Sequence, residues 1–176
     1  MKVIRVLYHP RVDYSVRRIV QSTIEETFTL KVAEGELRMD ISSTYNKLRG
    51  QYNAEGILYL ALSNYEERPI LVVVPFDIYV EGLNFVFGVA IRRNGAVIGL
   101  ERFRYGNNFA KRLEKTVKHE LGHVFGLSHC NNPCVMRFAN SLYELDIKPE
   151  YFCTKCARRL IDLGLLKRPS SLIDCC

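Results

Sequence analysis

The apolar positions of this chain change period several times, and each change predicts an element. Residues 2 to 8 are dense in apolar and β-branched side chains and predict a first strand, closed by His9-Pro10. His9, a loop histidine at a strand end, reads as polar surface. From Asp13, placed as an N-cap, Val16, Ile19, Val20, Ile24 and Phe28 recur at helical spacing. Thr29 to Ala33 predicts a second strand. Ser42 to Gly50 predicts a short helix, with serine at one end and glycine at the other. Ile57-Leu58-Tyr59-Leu60-Ala61-Leu62 is a continuous apolar run and predicts a buried central strand. Ile70 to Val74, closed by Pro75, predicts another. Phe85 to Ile91 and Ala96 to Phe103 predict two more, joined by a hairpin at Asn94-Gly95. Strands interleaved with helices in this order predict an α/β (α+β) fold with a mixed sheet.

The longest helical pattern runs from Asn108 to about Leu127, with Phe109, Leu113, Val117, Leu121 and Val124 as its apolar stripe. His119 and His123 sit beside that stripe, one turn apart and on one face. They belong to the run His119-Glu120-Leu121-Gly122-His123-Val124-Phe125-Gly126-Leu127-Ser128-His129, an H-E-x-x-H-x-x-G-x-x-H pattern. Two imidazoles so placed can together hold one Zn²⁺, each nitrogen at about 2.0–2.1 Å from it. Gly126 can take the left-handed conformation that ends a helix, which turns His129 back toward the metal. Three histidines leave a fourth zinc position open to water, as in a catalytic site. Glu120 flanks the metal rather than ligating it. It can take a proton from the zinc-activated water and pass it to a leaving amine. The implied chemistry is amide hydrolysis without a covalent intermediate. Gly122, inside the helix, costs about 1 kcal/mol relative to alanine; the sequence reading there is a close backbone approach.

The chain has only four histidines, and three of them lie in this motif. All six cysteines lie at or after position 130. Cys130 and Cys134 form one pair, and Cys153 and Cys156 open a final helix through Ala157, Leu160, Ile161 and Leu165. The two pairs approach zinc-ribbon spacing, although the first has three intervening residues rather than two. They predict a closed metal–thiolate site that ties the last helix to the loop after His129. Cys175 and Cys176 read as a free thiol tail.

Zinc motif, cysteines and Met136 together resemble the archaemetzincins, a branch of the metzincin zinc peptidases. Phe76-Asp77-Ile78-Tyr79 and Asn84-Phe85-Val86-Phe87-Gly88 are also similar to that family. Two spacings depart from it. Cys130 to Cys134 and Met136 to Cys153 are each one residue shorter than usual there, so the ligand types are kept and the loop geometry differs. The resemblance implies His119, His123 and His129 as catalytic zinc ligands, Glu120 as base and Met136 as the methionine of the Met-turn beneath the metal. It implies Cys130, Cys134, Cys153 and Cys156 as a second, structural zinc site, hence two Zn²⁺ per chain. It further implies a zincin-like single domain: a mixed twisted sheet above the cleft, the zinc-binding helix as its floor, and a small C-terminal half stapled by the four cysteines. Residues 1–127 would form the sheet-and-helix half and 128–176 the half with the Met-turn. Extended substrate would pair with an edge strand, read here as Asn84 to Ala90. Phe138 and Asn140, after the Met-turn, would wall the pocket beyond the scissile bond.

With 176 residues, 48% of them hydrophobic, the chain fits one domain, expected to act as a monomer. No stretch approaches the roughly 20 apolar residues of a membrane span, and the N-terminus, interrupted by Arg5, has no signal core. The expected location is the cytoplasm, which favours metal thiolates over disulfides. No pro-segment is visible, and restraint would come from a narrow cleft or short substrates. The expected activity is therefore peptidase action on short peptides, aminopeptidase-like in some relatives. Two alternatives stand beside it. One is a non-catalytic zinc module that binds protein or nucleic acid through Lys155, Arg158, Arg159, Lys167 and Arg168. A net charge of +6 with no long basic run, and the presence of Glu120, speak against it. The other is a zincin whose open position is blocked by Cys175 or Cys176.

Overall fold

The structure, a computed structural model, describes residues 2–166. Lys167, Arg168, Cys175 and Cys176 lie outside the described residues. The N-terminal apolar block is strand β1 (Lys2–Tyr8). Ile4, Val6 and Tyr8 enter one packed cluster and Leu7 enters another, the period-2 division of a strand buried on both faces. Helix α1 (Tyr14–Thr27) buries Val16, Val20, Thr23 and Ile24; Asp13 stands at its N-cap without a side-chain cap bond. Strand β2 (Leu30–Glu36) then pairs in parallel with β1.

Two sequence expectations fail in the next stretch. Ser42 to Gly50 is not a helix. Asp40 accepts from the Ser42 NH and Oγ, both at 2.8 Å, and only a single 3₁₀ turn forms over Ser42–Thr44. Asn46 Oδ1 then accepts from Leu48 and Arg49, and Gly50 sits at φ 66°. These short side-chain bonds make a turn joining β3 (Tyr45–Asn46) to β4 (Gln51–Asn53). The serine and glycine were turn signals, not helix caps. The apolar run Ile57 to Leu62 is likewise not a strand but the body of helix α2 (Ala54–Asn64). Asn53 Oδ1 accepts from the Gly56 NH at 2.8 Å and caps it. Ile57, Leu58 and Ala61 are buried on one side while Tyr59 is 60% exposed. A six-residue apolar run carries no period that separates strand from helix, and the cap decides.

Strand β5 (Ile70–Val74) is the buried run the sequence predicts. Short β6 (Ile78–Tyr79) follows, then β7 (Gly88–Ile91) and β8 (Gly95–Gly99) as the expected hairpin, although its loop is 92–94, with Arg93 at φ 65°, and Gly95 already opens β8. Both hairpin strands are shorter than predicted. Val86 leaves the main sheet to bridge Ile78, and after Gly99 the chain enters a 3₁₀ turn over Glu101–Arg104. The long helix α3 (Phe109–Val124) comes next, then α4 (Leu142–Ile147) and α5 (Thr154–Asp162), the final helix anticipated after the second cysteine pair.

The main sheet has the order β2-β1-β5-β8-β7. Its first four strands are parallel, and β7 is the antiparallel edge. Helices α1 and α3 cover one face, where Leu71, Val73, Ala96 and Ile98 meet Leu113, Val117 and Leu121. Helix α2 covers the other, against Ile70, Val72, Val74 and Val97. The small sheet β3-β4-β6 is tied to the end of β8 through Asp77, which accepts from Arg102 at 2.7 and 2.8 Å and from Gln51 at 3.0 Å. No helix among the described residues is long and apolar enough to cross a membrane.

Candidate active site

Helix α3 is buried on two faces. Its predicted stripe packs on α1 and the sheet, but Arg112, Lys115, Thr116, His119 and Glu120 are buried too. The chain after Met136 covers this polar face. Arg112 holds both carboxylate oxygens of Asp146 at 2.7 and 2.6 Å, and Lys115 donates to the carbonyls of Leu145 and Asp146 at 3.1 and 2.7 Å. The last carbonyls of α4 thus receive a cation, where the helix dipole favours one.

The C-terminus of α3 explains how His129 returns. Gly126, at φ 94°, donates to His123 O at 2.9 Å, and Leu127 donates to Gly122 O at 2.9 Å. This pair of bonds is a Schellman motif, and it reverses the chain immediately after the second histidine. His119 Nδ1 lies 2.8 Å from Val135 O, and His123 Nδ1 lies 2.8 Å from Leu127 O. A carbonyl only accepts, so each Nδ1 carries the ring proton. Each Nε2 then presents a lone pair, and the two Nε2 atoms face one another at 3.1 Å. Two lone pairs this close repel unless a cation lies between them. His129 completes the group, with the donor atoms all within 4.8 Å of one another. Burial lowers the pKa of all three rings, and the Lys148 ammonium adds to it. Neutral imidazole is the form that binds a metal, so the donor set fits zinc.

Glu120 is buried, and burial raises its pKa to about 8. The edge strand lies directly on it: a Cβ at Gly88 would stand 2.8 Å from its carboxylate. Only glycine lets β7 run this close, a requirement with no local sequence signal. The close approach expected at Gly122 is present, since a Cβ there would collide with Met136 Sδ. Met136 is fully buried beneath the helix. Gly122→Ala is therefore expected to destabilise the protein by about 1–3 kcal/mol in urea unfolding, against the gain that helix propensity alone predicts. A variant at least as stable as the parent would mean that Met136 moves aside freely.

Cys130, Cys134, Cys153 and Cys156 are brought together, with their sulfur atoms within 4.8 Å of one another, and all four are free thiols. Cys130 and Cys153 Sγ lie 3.7 Å apart, far beyond a disulfide bond. Cys134 Sγ accepts from the backbone NH of Met136 at 3.4 Å and of Cys153 at 3.2 Å. Burial opposes ionisation of Cys153, but the Cys156 NH, Asn132 and Cys130 outweigh it and bring its pKa down to about 7. Four sulfurs converging with NH groups aimed at them suit a closed thiolate site. The shortened spacings do not prevent the cluster.

A cleft of about 910 Å³ opens over the histidines. Gly88, Val89 and Ala90 of β7, His119, Glu120 and His123 of α3, and Phe138 and Asn140 all line it. The Phe138 ring meets His129 edge to face at 5.2 Å. Lys148 also lines the cleft and was not found by sequence reasoning. Its Nζ lies 3.2 Å from His119 Nδ1 and donates to Arg137 O at 3.1 Å. Burial lowers its pKa to about 8. It follows a short helix in a polar stretch, where nothing in the pattern marks it as buried.

The sequence pattern of Peptidase family M54 matches residues 3–162. An archaemetzincin of Nanoarchaeum equitans (strain Kin4-M) is 38% identical over 154 residues, 88% of each chain. The crystal structure of an archaemetzincin from Methanopyrus kandleri superposes with a TM-score of 0.81 at 33% identity, covering 92% of this chain and 94% of that one. That of an archaemetzincin from Archaeoglobus fulgidus, complexed with malonate, gives 0.80 at 34% identity, covering 90% and 99%.

Proposed function

Because the chain belongs to peptidase family M54, the archaemetzincins, and is a zinc metallopeptidase, we propose that it hydrolyses short peptides with His119, His123 and His129 holding the catalytic zinc and Glu120 acting as base. The observation that carries this reading is the pair of Nε2 lone pairs opposed at 3.1 Å, with His129 beside them and Glu120 one residue along the same helix. Zinc held there supplies a Lewis acid that lowers the pKa of water to about 7 and polarises a carbonyl. Burial alone favours the neutral acid of Glu120, but a zinc ion held beside it would favour the carboxylate, which would then take the proton of the attacking water and return it to the leaving amine. The Val135 and Leu127 carbonyls fix the tautomers of His119 and His123. The outer edge of β7 pairs with an extended substrate by strand addition, aligning it over Glu120. Phe138 and Asn140 shape the cleft beside the scissile bond. The cleft volume suits a peptide segment rather than a folded chain.

Cys130, Cys134, Cys153 and Cys156 hold a second zinc with a structural role. Met136 acts as the packing floor beneath the histidines. We take the whole chain as one catalytic domain. Supporting this, a single packed cluster runs from Ile4 and Leu71 of the sheet through Leu121 to Met136, Leu145 and Leu160.

The test is a mixed peptide library digested by the zinc-loaded full chain, with its metal content measured. Cleavage products that vanish on chelation and return with zinc are expected. No cleavage, together with a salt-dependent shift of DNA or RNA, would favour the binding module instead.

A further inference from the structure

Lys148 is a buried cation that the proposed reaction does not use. It is 6% exposed, and no carboxylate among the described residues forms an ion pair with it. Its Nζ has three protons to donate, and Arg137 O at 3.1 Å takes one. The nearby His119 Nδ1, at 3.2 Å, cannot take another, because that nitrogen spends its own proton on Val135 O. Burying an ammonium with so few partners costs several kcal/mol. The residue nevertheless lies in the wall of the cleft; the charges that act on it there are Glu120, which favours its ammonium without bonding to it, and Lys115, which opposes it. Only one imidazole ring separates Nζ from the Nε2 atoms where the scissile bond would sit. The remaining charged residues lining the cleft are Glu120, already committed as base, and Arg92 beside Gly126.

We propose that Lys148 is a specificity residue: it makes the cleft select substrates with a carboxylate adjacent to the scissile bond. The inference rests on the peptidase reading above. The carboxylate is an acidic side chain on a flanking residue or the free C-terminus of a product-length peptide. Either would accept the unused Nζ protons in a poorly hydrated recess, where a charge-assisted bond is stronger than in water. A carboxamide of the same shape would gain much less.

The first measurement is binding to the zinc-loaded full chain of two hydroxamates, succinic monohydroxamate and butyryl hydroxamate. They share the metal-binding group and differ in a carboxylate against a methyl. The acid is expected to bind about tenfold tighter or more. Lys148→Met should abolish the difference, and Lys148→Arg should retain part of it. The second measurement is cleavage of peptide pairs with Glu or Gln on either side of the bond, and of free-acid against amidated C-termini one residue beyond it. The Glu pairs read a side chain and the terminal pairs read the chain end, and the preference should appear mainly in KM. Equal binding of the two hydroxamates by the parent protein overturns the proposal. So does a Lys148→Met protein that keeps the difference, or one that loses both ligands alike while Lys148→Arg restores neither; Lys148 would then serve only to hold Arg137. If the acid binds tighter but no peptide is cut, the peptidase reading fails and the carboxylate site stands.

Discussion

Glu120→Gln is expected to lower peptide turnover by about 10²–10⁴-fold while leaving the zinc content unchanged. The size follows from what a positioned base contributes to proton transfer. The retention of metal follows from geometry: the carboxylate is not among the three donor atoms that converge within 4.8 Å. Glutamine has the same shape, and the Gly88 backbone leaves room for that shape and little more. Zinc and turnover should be measured on one sample. Activity within a few-fold of the parent would remove Glu120 from the mechanism. Loss of zinc would make it a ligand instead.

The two metal sites should differ in kind, and the difference should be large. His129 is exposed to the cleft, and its site consists of neutral imidazoles with an open side. Cys134 and Cys156 are buried and belong to the main packed cluster together with Leu160 of α5. A closed thiolate site has an apparent zinc binding energy of about 10–16 kcal/mol, coupled to folding. A mild chelator is therefore expected to remove one zinc first, ending activity with little change in far-ultraviolet circular dichroism. His129→Ala should reproduce that state: folded, inactive, one zinc. Cys153→Ser should act differently. It removes a ligand at the N-cap of α5, and α5 docks through Cys156 and Leu160. Its melting temperature should fall, and activity should fall only as that region loosens. The decisive readout is zinc per chain against melting temperature for both variants. A Cys153→Ser protein with two zinc ions and the parent's melting temperature would refute the model, as would active protein that never carries more than one zinc.

What the sequence by itself determined is the chemistry that short-range geometry enforces. His119 and His123 share a helix face because the helix repeat puts them there. Gly126 ends that helix because its backbone can reach φ 94°, and His129 follows within three residues. The spacing of the cysteine pairs points to thiols that could gather at one place, and Asn94-Gly95 signals the β7–β8 hairpin, one residue past its actual loop. Each of these depends on residues a few positions apart, where covalent geometry leaves few choices. Tertiary structure decided the rest. The run Ile57 to Leu62 is equally apolar as strand or helix, and the Asn53 cap together with the free face of the sheet made it α2. The shortened cysteine spacings left the cluster's geometry open until the chain around Met136 folded and the sulfurs met. Gly88 over Glu120, Met136 under Gly122 and Lys148 beside His119 join residues on different elements of the fold. Their partners are chosen by how the edge strand, the long helix and the last third of the chain pack, and no local period encodes that.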